Sequence, residues 1–393
     1  MSDPSDSRLG PLDVNLRNLG LIQKLDMMRD AAVQNDWTLS NSRLPGAAKA
    51  RARLSSRLMR RALEQAFEPL WTVFPHVPPD KAVLSGIEPY SRRPVVIHRN
   101  LFTRHVIVAG MTGSGKSTLL ALFALQLLAQ GISIIWADHA KTEGRRLLEL
   151  VPDALVIRAD QDLVNILDPV GRPETFWAAL SFELAKAANL RVETWNELPE
   201  ILARIQAGLA PGQRFPSLQE LVEILFTLAK RERRPKLATL ARAIQALNAV
   251  LGDMARVRHA PVDLSKRFRL VVLEFQGLPP RIHNFLAAVR LLRMQTRGSV
   301  EGHGSDLQSV YISDEGTFEF GKEMSGETGS GYVRTNKKLI TQIRAQGTGV
   351  IVAVQMLCEL DDSVKSNAAT IVCFRLPNPK DAAEAQIILG MND

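Results

Sequence analysis

The apolar run Val106-Ile107-Val108-Ala109 leads into Gly110-Met111-Thr112-Gly113-Ser114-Gly115-Lys116-Ser117, and a helical pattern continues from Ser117 to Gln130. A strand, a glycine-rich loop with the spacing G-x-x-x-x-G-K-S and a helix, in that order, form a phosphate cradle. The glycines let the backbone wrap with its N–H groups turned inward. The helix adds the positive end of its dipole. In such a cradle Lys116 reaches the β- and γ-phosphates of ATP, and the Ser117 hydroxyl sits on Mg²⁺. Gly110, Met111, Thr112, Gly113, Ser114, Gly115, Lys116, Ser117 and Thr118 line the loop. The alternative is an ordinary glycine-rich turn between strand and helix.

A chain of 393 residues has room for two or three domains. Its net charge of +8 is unevenly spread. Arg43 to Arg61 holds seven basic residues (Arg43, Lys49, Arg51, Arg53, Arg57, Arg60, Arg61) and no acid, and Lys230 to Lys236 holds five more around the single acid Glu232. Such runs fit either a phosphate backbone or a solvated face. Cys358 and Cys373 lie in apolar runs without metal-ligand spacing and read as core residues of a reduced protein. The polar N-terminus is no signal peptide, and no stretch of eighteen apolar residues spans a membrane, so the expected location is cytoplasmic.

Residues 1–93 read as a basic, mainly helical N-terminal region with proline-rich breaks such as Pro75 to Pro79, and with no sheet pattern strong enough for a barrel. From Pro94 the pattern becomes α/β. Strands are expected at Val95–His98, His105–Ala109, Ile132–Ala137, Leu155–Ile157, Leu270–Phe275, Val310–Ser313, Val350–Gln355 and Ile371–Arg375. Short β-rich runs alternating with helices argue a mostly parallel sheet covered on both faces. Residues 94–174 form the first part of this core and 252–393 the second. Between them, 175–251 carries no strand and reads as a helical insertion. There Ser217-x-x-Glu220 is a capping box that starts one of two helical patterns, Ser217–Lys230 and Lys236–Leu251.

The strand pattern at Val310–Ser313 ends in Asp314-Glu315. An Asp at a strand's C-terminal end can complete a Mg²⁺ shell, and the neighbouring Glu can orient or deprotonate an attacking water. Gln355, at the end of a buried-type strand, is placed to bond the γ-phosphate or the water. The plainer reading of Gln355 is a polar strand-end residue.

With these motifs in place the chain resembles the HerA–FtsK family of P-loop motor ATPases, whose relatives include drivers of conjugative DNA transfer. Ala137-Asp138-His139-Ala140-Lys141 is similar to that family's "Asp-Pro-Lys" segment. Asn165-Ile166-Leu167-Asp168-Pro169 resembles its "Asn-Pro-Leu-Asp" turn. Ile343-Arg344-Ala345-Gln346-Gly347 precedes the Gln355 strand, and Asn367 leads to Cys373-Phe374-Arg375, as in the family. The resemblance covers about Pro94–Glu174 and Arg269–Arg375. It implies a RecA-like core, a hexameric homo-oligomeric ring with ATP at subunit interfaces, and translocation along double-stranded DNA. Lys116, Ser117, Asp314, Glu315 and Gln355 take the roles argued above.

Ring ATPases also need a cation delivered in trans; Arg344 and Arg375 are the candidates, the other reading of each being a surface arginine. The chain departs from the family in lacking a preceding β-barrel and a membrane segment. Gly321 to Gly331 reads as a DNA-facing pore loop or as a mobile connection. With the sequence stopping at Gly390-Met391-Asn392-Asp393, just after an apparent helix start, a C-terminal lid or recognition element is expected to be short or missing. Two other functions fit the same motifs. One is a nucleotide-gated regulatory subunit that assembles with a partner effector protein in a mobile-element or antiphage complex. The other is a protein-secretion ATPase.

Overall fold

The structure is a computed structural model. It describes residues 20, 22–23, 27–42, 44–67, 77–87, 94–139, 142–161, 164–169, 173–190, 195–258, 267–301, 306–322, 340 and 342–389. Seven strands form one all-parallel sheet: β3 (Val106–Ala109), β4 (Ser133–Asp138), β5 (Ala154–Arg158), β6 (Leu270–Glu274), β7 (Ser309–Ser313), β8 (Thr348–Val354) and β9 (Thr370–Cys373). Their order across the sheet is β5-β6-β4-β7-β8-β3-β9. This is the α/β, RecA-like architecture expected from the sequence.

The strands read as continuous apolar runs because both faces are covered. Successive side chains point to opposite faces. Val106, Val108, Ile134, Trp136, Val310 and Ile312 join one core with Leu119, Phe123 and Leu127 of α3 (Lys116–Ala129). Ile107, Ala109, Ile135, Ala137, Tyr311 and Val352 join the other. That second core is filled by α4 (Pro173–Ala187), α5 (Leu198–Ala207), α6 (Leu218–Arg231) and α7 (Pro235–Leu251), which follow one another between β5 and β6, and by α8 (Pro280–Glu301). The capping box forms: Ser217 Oγ accepts the Glu220 N–H at 3.2 Å, and the Glu220 carboxylate accepts the Ser217 N–H at 2.9 Å.

Towards the N-terminus the chain supplies α1 (Ala31–Ser40) and the long α2 (Ala47–Phe67). It also supplies a strand the sequence did not suggest. β1 (Ala82–Ile87) pairs antiparallel with β2 (Pro94–His98), so the run expected to open the main sheet belongs to a separate two-stranded one. The buried Gln126 of α3 docks this small sheet by bonding both the N–H and the carbonyl of Leu84. Three shorter helices complete the core side of the chain: α9 (Thr317–Phe320), α10 (Asp362–Asn367) and α11 (Pro379–Leu389). No described helix is long and apolar enough to cross a membrane. The two cysteines are free and only partly buried: Cys358 lies in a short 3-10 turn outside the cores, whereas Cys373 on edge strand β9 packs against the second core.

Candidate functional site

In a parallel sheet all strands end on the same edge, where ligands of open α/β folds bind. The register puts Ala109 level with Val354 and Cys373, and Ser313 level with Val352. The loops after β3, β7, β8 and β9 therefore meet on one line. They carry Gly110 to Lys116, Asp314 and Glu315, Gln355, and Phe374 and Arg375 respectively.

The loop after β3 is clamped from both sides. The Gly110 N–H donates to Val354 O at 3.1 Å, and the Met111 N–H to Arg375 O at 3.1 Å. Position 110 admits only glycine, since a Cβ there would lie 2.6 Å from the Cβ of Phe374. Gly115, at φ +106°, is the N-cap of α3 and offers no side chain to the first-turn N–H groups. Lys116 Nζ donates to the carbonyls of Gly110 and Met111, and the buried Ser114 Oγ has no protein partner. A lysine folded over the loop, an orphaned hydroxyl and a helix N-terminus without a side-chain cap fit a phosphate chain. The exposed Met111, Thr112 and Thr118 border the loop, with the half-buried Ser117 on its inner turn.

Three polar side chains from different loops form one relay. Thr112 Oγ1 donates to Gln355 Oε1 at 3.0 Å, and Gln355 Nε2 donates to Glu315 Oε1 and Oε2 at 3.2 and 3.0 Å. Asp314 Oδ1 accepts the His139 backbone N–H at 3.0 Å. Asp138, at the end of β4, accepts from Trp136 Nε1 at 2.7 Å and Gly144 N at 2.9 Å. Burial raises both carboxyls above the ordinary range, and Asp314 raises Asp138 further. A cation beside them would favour their charged forms. Among the described residues no three His, Cys, Asp or Glu side chains converge on a metal. One carboxylate, one hydroxyl and phosphate oxygens are the donors that suit Mg²⁺, which keeps several of its waters.

The other residues singled out in the sequence separate by position. Arg375 is exposed beside the phosphate loop. Arg344, also exposed, lies in the 3-10 turn before β8, at the opposite edge of the sheet from its own chain's loop. Asn165 and Asp168 are structural. Asn165 Nδ2 donates to the carbonyls of Phe215 and Pro216, and Arg293 donates to the carbonyls of Asn165 and Asp168.

Ala140, Lys141, Arg43, Pro75 and His76, residues 323–331 of the loop expected at Gly321–Gly331, and Gly390–Asp393 lie outside the described residues. The basic runs are less free than their composition suggests. Arg53 and Arg57 pair with Asp36 of α1 at 2.7 and 3.2 Å, and Arg234 pairs with Glu197 at 2.7 Å and Glu232 at 3.3 Å. The acids come from outside the runs or from within the second one, so a window of sequence alone overstates the unpaired charge.

A buried network beside Asp314 was not anticipated. His139 Nε2 donates to Glu319 Oε1 at 2.8 Å, both side chains being fully buried. Tyr311 donates its hydroxyl to the same oxygen at 2.6 Å. Burial pulls the His139 imidazole down, but Glu319, Asp314 and Asp138 together outweigh it and the net shift is upward. The only hint in the sequence is that a titratable His139 follows Asp138, where the family resemblance has proline.

These features define a P-loop NTPase. The family described as the helicase HerA central domain matches residues 87–294, and the chain belongs to that family. No curated protein shows a significant sequence match. Among solved structures the fold is similar to VirB4 of Thermoanaerobacter pseudethanolicus, with TM-score 0.60 and 14% identity over 79% of this chain and 88% of that one. It is also similar to the plasmid coupling protein TrwB in complex with the GTP analogue GDPNP, with TM-score 0.50 and 13% identity over 78% of each chain. TrwB in complex with the ATP analogue ADPNP gives TM-score 0.50 and 14% identity over 73% of each chain.

Proposed function

We propose that this chain is a Mg²⁺-dependent ATPase that assembles into a ring, hexameric by family resemblance, and moves double-stranded DNA. The observation that carries the reading is the Thr112–Gln355–Glu315 relay, which ties the phosphate loop to the carboxylate placed to activate water. Lys116 exchanges its hold on the loop carbonyls for the β- and γ-phosphate oxygens, and the first turn of α3 adds its N–H groups. Glu315 orients and deprotonates the attacking water. Gln355 holds both oxygens of Glu315, so turning its amide to a phosphate oxygen frees that carboxylate when substrate is in place. Ser117 and Asp314 would hold Mg²⁺, which when bound neutralises charge developing on the phosphate oxygens. The rest of the catalysis is positioning and electrostatic stabilisation by the chain's own groups.

HerA membership and the surplus of basic residues support DNA as the track. The N-terminal region, or arm, is a weaker contact than its composition suggests, because Asp36 engages Arg53 and Arg57; Lys49, Arg60, Lys230, Arg231 and Lys236 are the better candidates. The pairing of the arm favours a second reading, in which it is a docked structural element of a nucleotide-gated assembly subunit. Steady-state hydrolysis with and without duplex DNA, alongside a native mass, separates the two. The motor reading expects turnover that duplex DNA stimulates, an oligomer, and loss of activity in Lys116→Ala. Hydrolysis that duplex DNA leaves unchanged would favour the assembly subunit, and full activity in Lys116→Ala would remove the site itself. TrwB is recorded with analogues of both ATP and GTP, so the two nucleotides are compared in the same assay.

A further inference from the structure

The segment that carries Asp314 and Glu315 is gripped twice by a single residue of the neighbouring strand. His139 is the first residue after β4, and β4 pairs with β7. Its backbone N–H donates to Asp314 Oδ1 at 3.0 Å. Its ring reaches past the carboxylates to α9, where Nε2 meets Glu319 Oε1 at 2.8 Å. The ring plane is fixed by Phe275, stacked at 4.8 Å and 26°, and by Phe318, stacked at 5.5 Å and 28°. Tyr311 holds the Glu319 oxygen from β7 itself.

On the other side of the turn, Asp138 is pinned by Trp136 and Gly144. The amide aimed at Asp314 is thus fixed from both directions. An apolar pair of similar volume would fill this space at no desolvation cost, whereas two buried polar groups cost free energy unless fully engaged. The polar pair lies against the one carboxylate whose position would set metal geometry.

We propose that His139 and Glu319 form a positioning pair, which fixes the Asp314 carboxylate as a divalent-cation ligand by locking the His139 backbone amide and α9 to each other. The pair touches neither substrate nor metal; it acts through Asp314. The inference rests on the nucleotide–Mg²⁺ reading of the site. Outer-shell partners of metal-binding carboxylates commonly contribute 10–100-fold to metal affinity.

The test is a titration of the full chain, loaded with ADP, with Mn²⁺ read by electron paramagnetic resonance. ADP binding without metal and the thermal transition are followed in parallel. Glu319→Gln keeps the shape of the pair, and His139→Ala removes the ring but leaves the amide. Both are expected to weaken Mn²⁺ binding by roughly tenfold or more while metal-free ADP affinity stays at the wild-type value. Tyr311→Phe, which leaves the His139–Glu319 contact in place, is expected to shift Mn²⁺ binding least. A merely structural role would lower the thermal transition with Mn²⁺ affinity unchanged, and that result in Glu319→Gln overturns the proposal even if His139→Ala fails to fold. Wild-type chain that takes up ADP but no Mn²⁺ would instead overturn the functional reading.

Discussion

Glu315 and Gln355 meet only because two loops, 40 residues apart in sequence, leave adjacent parallel strands at the same level. If Glu315 activates water, Glu315→Gln keeps a hydrogen-bonding side chain of the same size and loses the base. Hydrolysis should then fall by about a hundredfold or more, the range general-base catalysis contributes, while nucleotide affinity holds. Single-turnover hydrolysis measured beside equilibrium nucleotide binding checks this, and normal turnover in the variant assigns water activation to another group. The phosphate loop was readable at this scale because its chemistry is local: eight consecutive residues fix both glycine geometry and lysine reach. His139 was not, because its partners Phe275, Phe318 and Glu319 come from the end of β6 and from α9, far away in sequence, and are common residue types. Only the sheet order brings them together.

At the scale of elements, the docking of α2 on the core turns on one buried acid. Arg269 donates to Ser56 Oγ at 2.9 Å and to Ala52 O at 3.0 Å, both on α2, and Asp153 lies beneath it with 5% of its surface exposed. Burial dominates the attraction of Arg51 and Arg269 and pushes the Asp153 carboxyl up to about 6. An acid whose folded pKa exceeds its unfolded value binds more protons when folded. Its contribution is therefore most favourable below about pH 4 and declines as pH rises to about 6. The decline amounts to roughly 3 kcal/mol for a shift of about two units. Urea unfolding of wild type and Asp153→Asn should agree most closely near pH 4 and diverge in the variant's favour by pH 7. An equal difference at both values would remove burial of this charge as the cause.

The eight expected strands all form; β3 to β8, largely buried and parallel, announce themselves as short β-branched runs. The sequence pattern neither marks β1 nor gives β2 its sheet, for one reason. Apolar alternation identifies a strand but not its partner, and the partner here lies in a stretch broken by prolines.

On the scale of the whole molecule, the proposed ring would let a neighbouring copy add a cation to the phosphate-loop edge. Arg344 precedes the seven-residue β8. It therefore stands on the order of 20 Å from its own chain's site, at about 3.3 Å per residue, and can serve a site only across an interface. Arg375 is different: its carbonyl already holds the Met111 N–H, so its exposed side chain starts from a backbone bonded to its own phosphate loop. It can act in cis without any partner. If the proposed ring forms, Arg344→Ala should lower hydrolysis while leaving nucleotide binding intact. Mixing it with Glu315→Gln should then restore part of the activity, since some interfaces would pair an intact Glu315 with an intact Arg344. Arg375→Ala mixed with Glu315→Gln should restore activity only if Arg375 reaches across as well. Hydrolysis is measured over a range of mixing ratios, with the oligomer followed by native mass. Rescue by Arg344→Ala and not by Arg375→Ala assigns the trans cation to the strand's N-terminal edge. Rescue by Arg375→Ala alone moves it to the phosphate-loop side, and rescue by neither removes both arginines from a trans role.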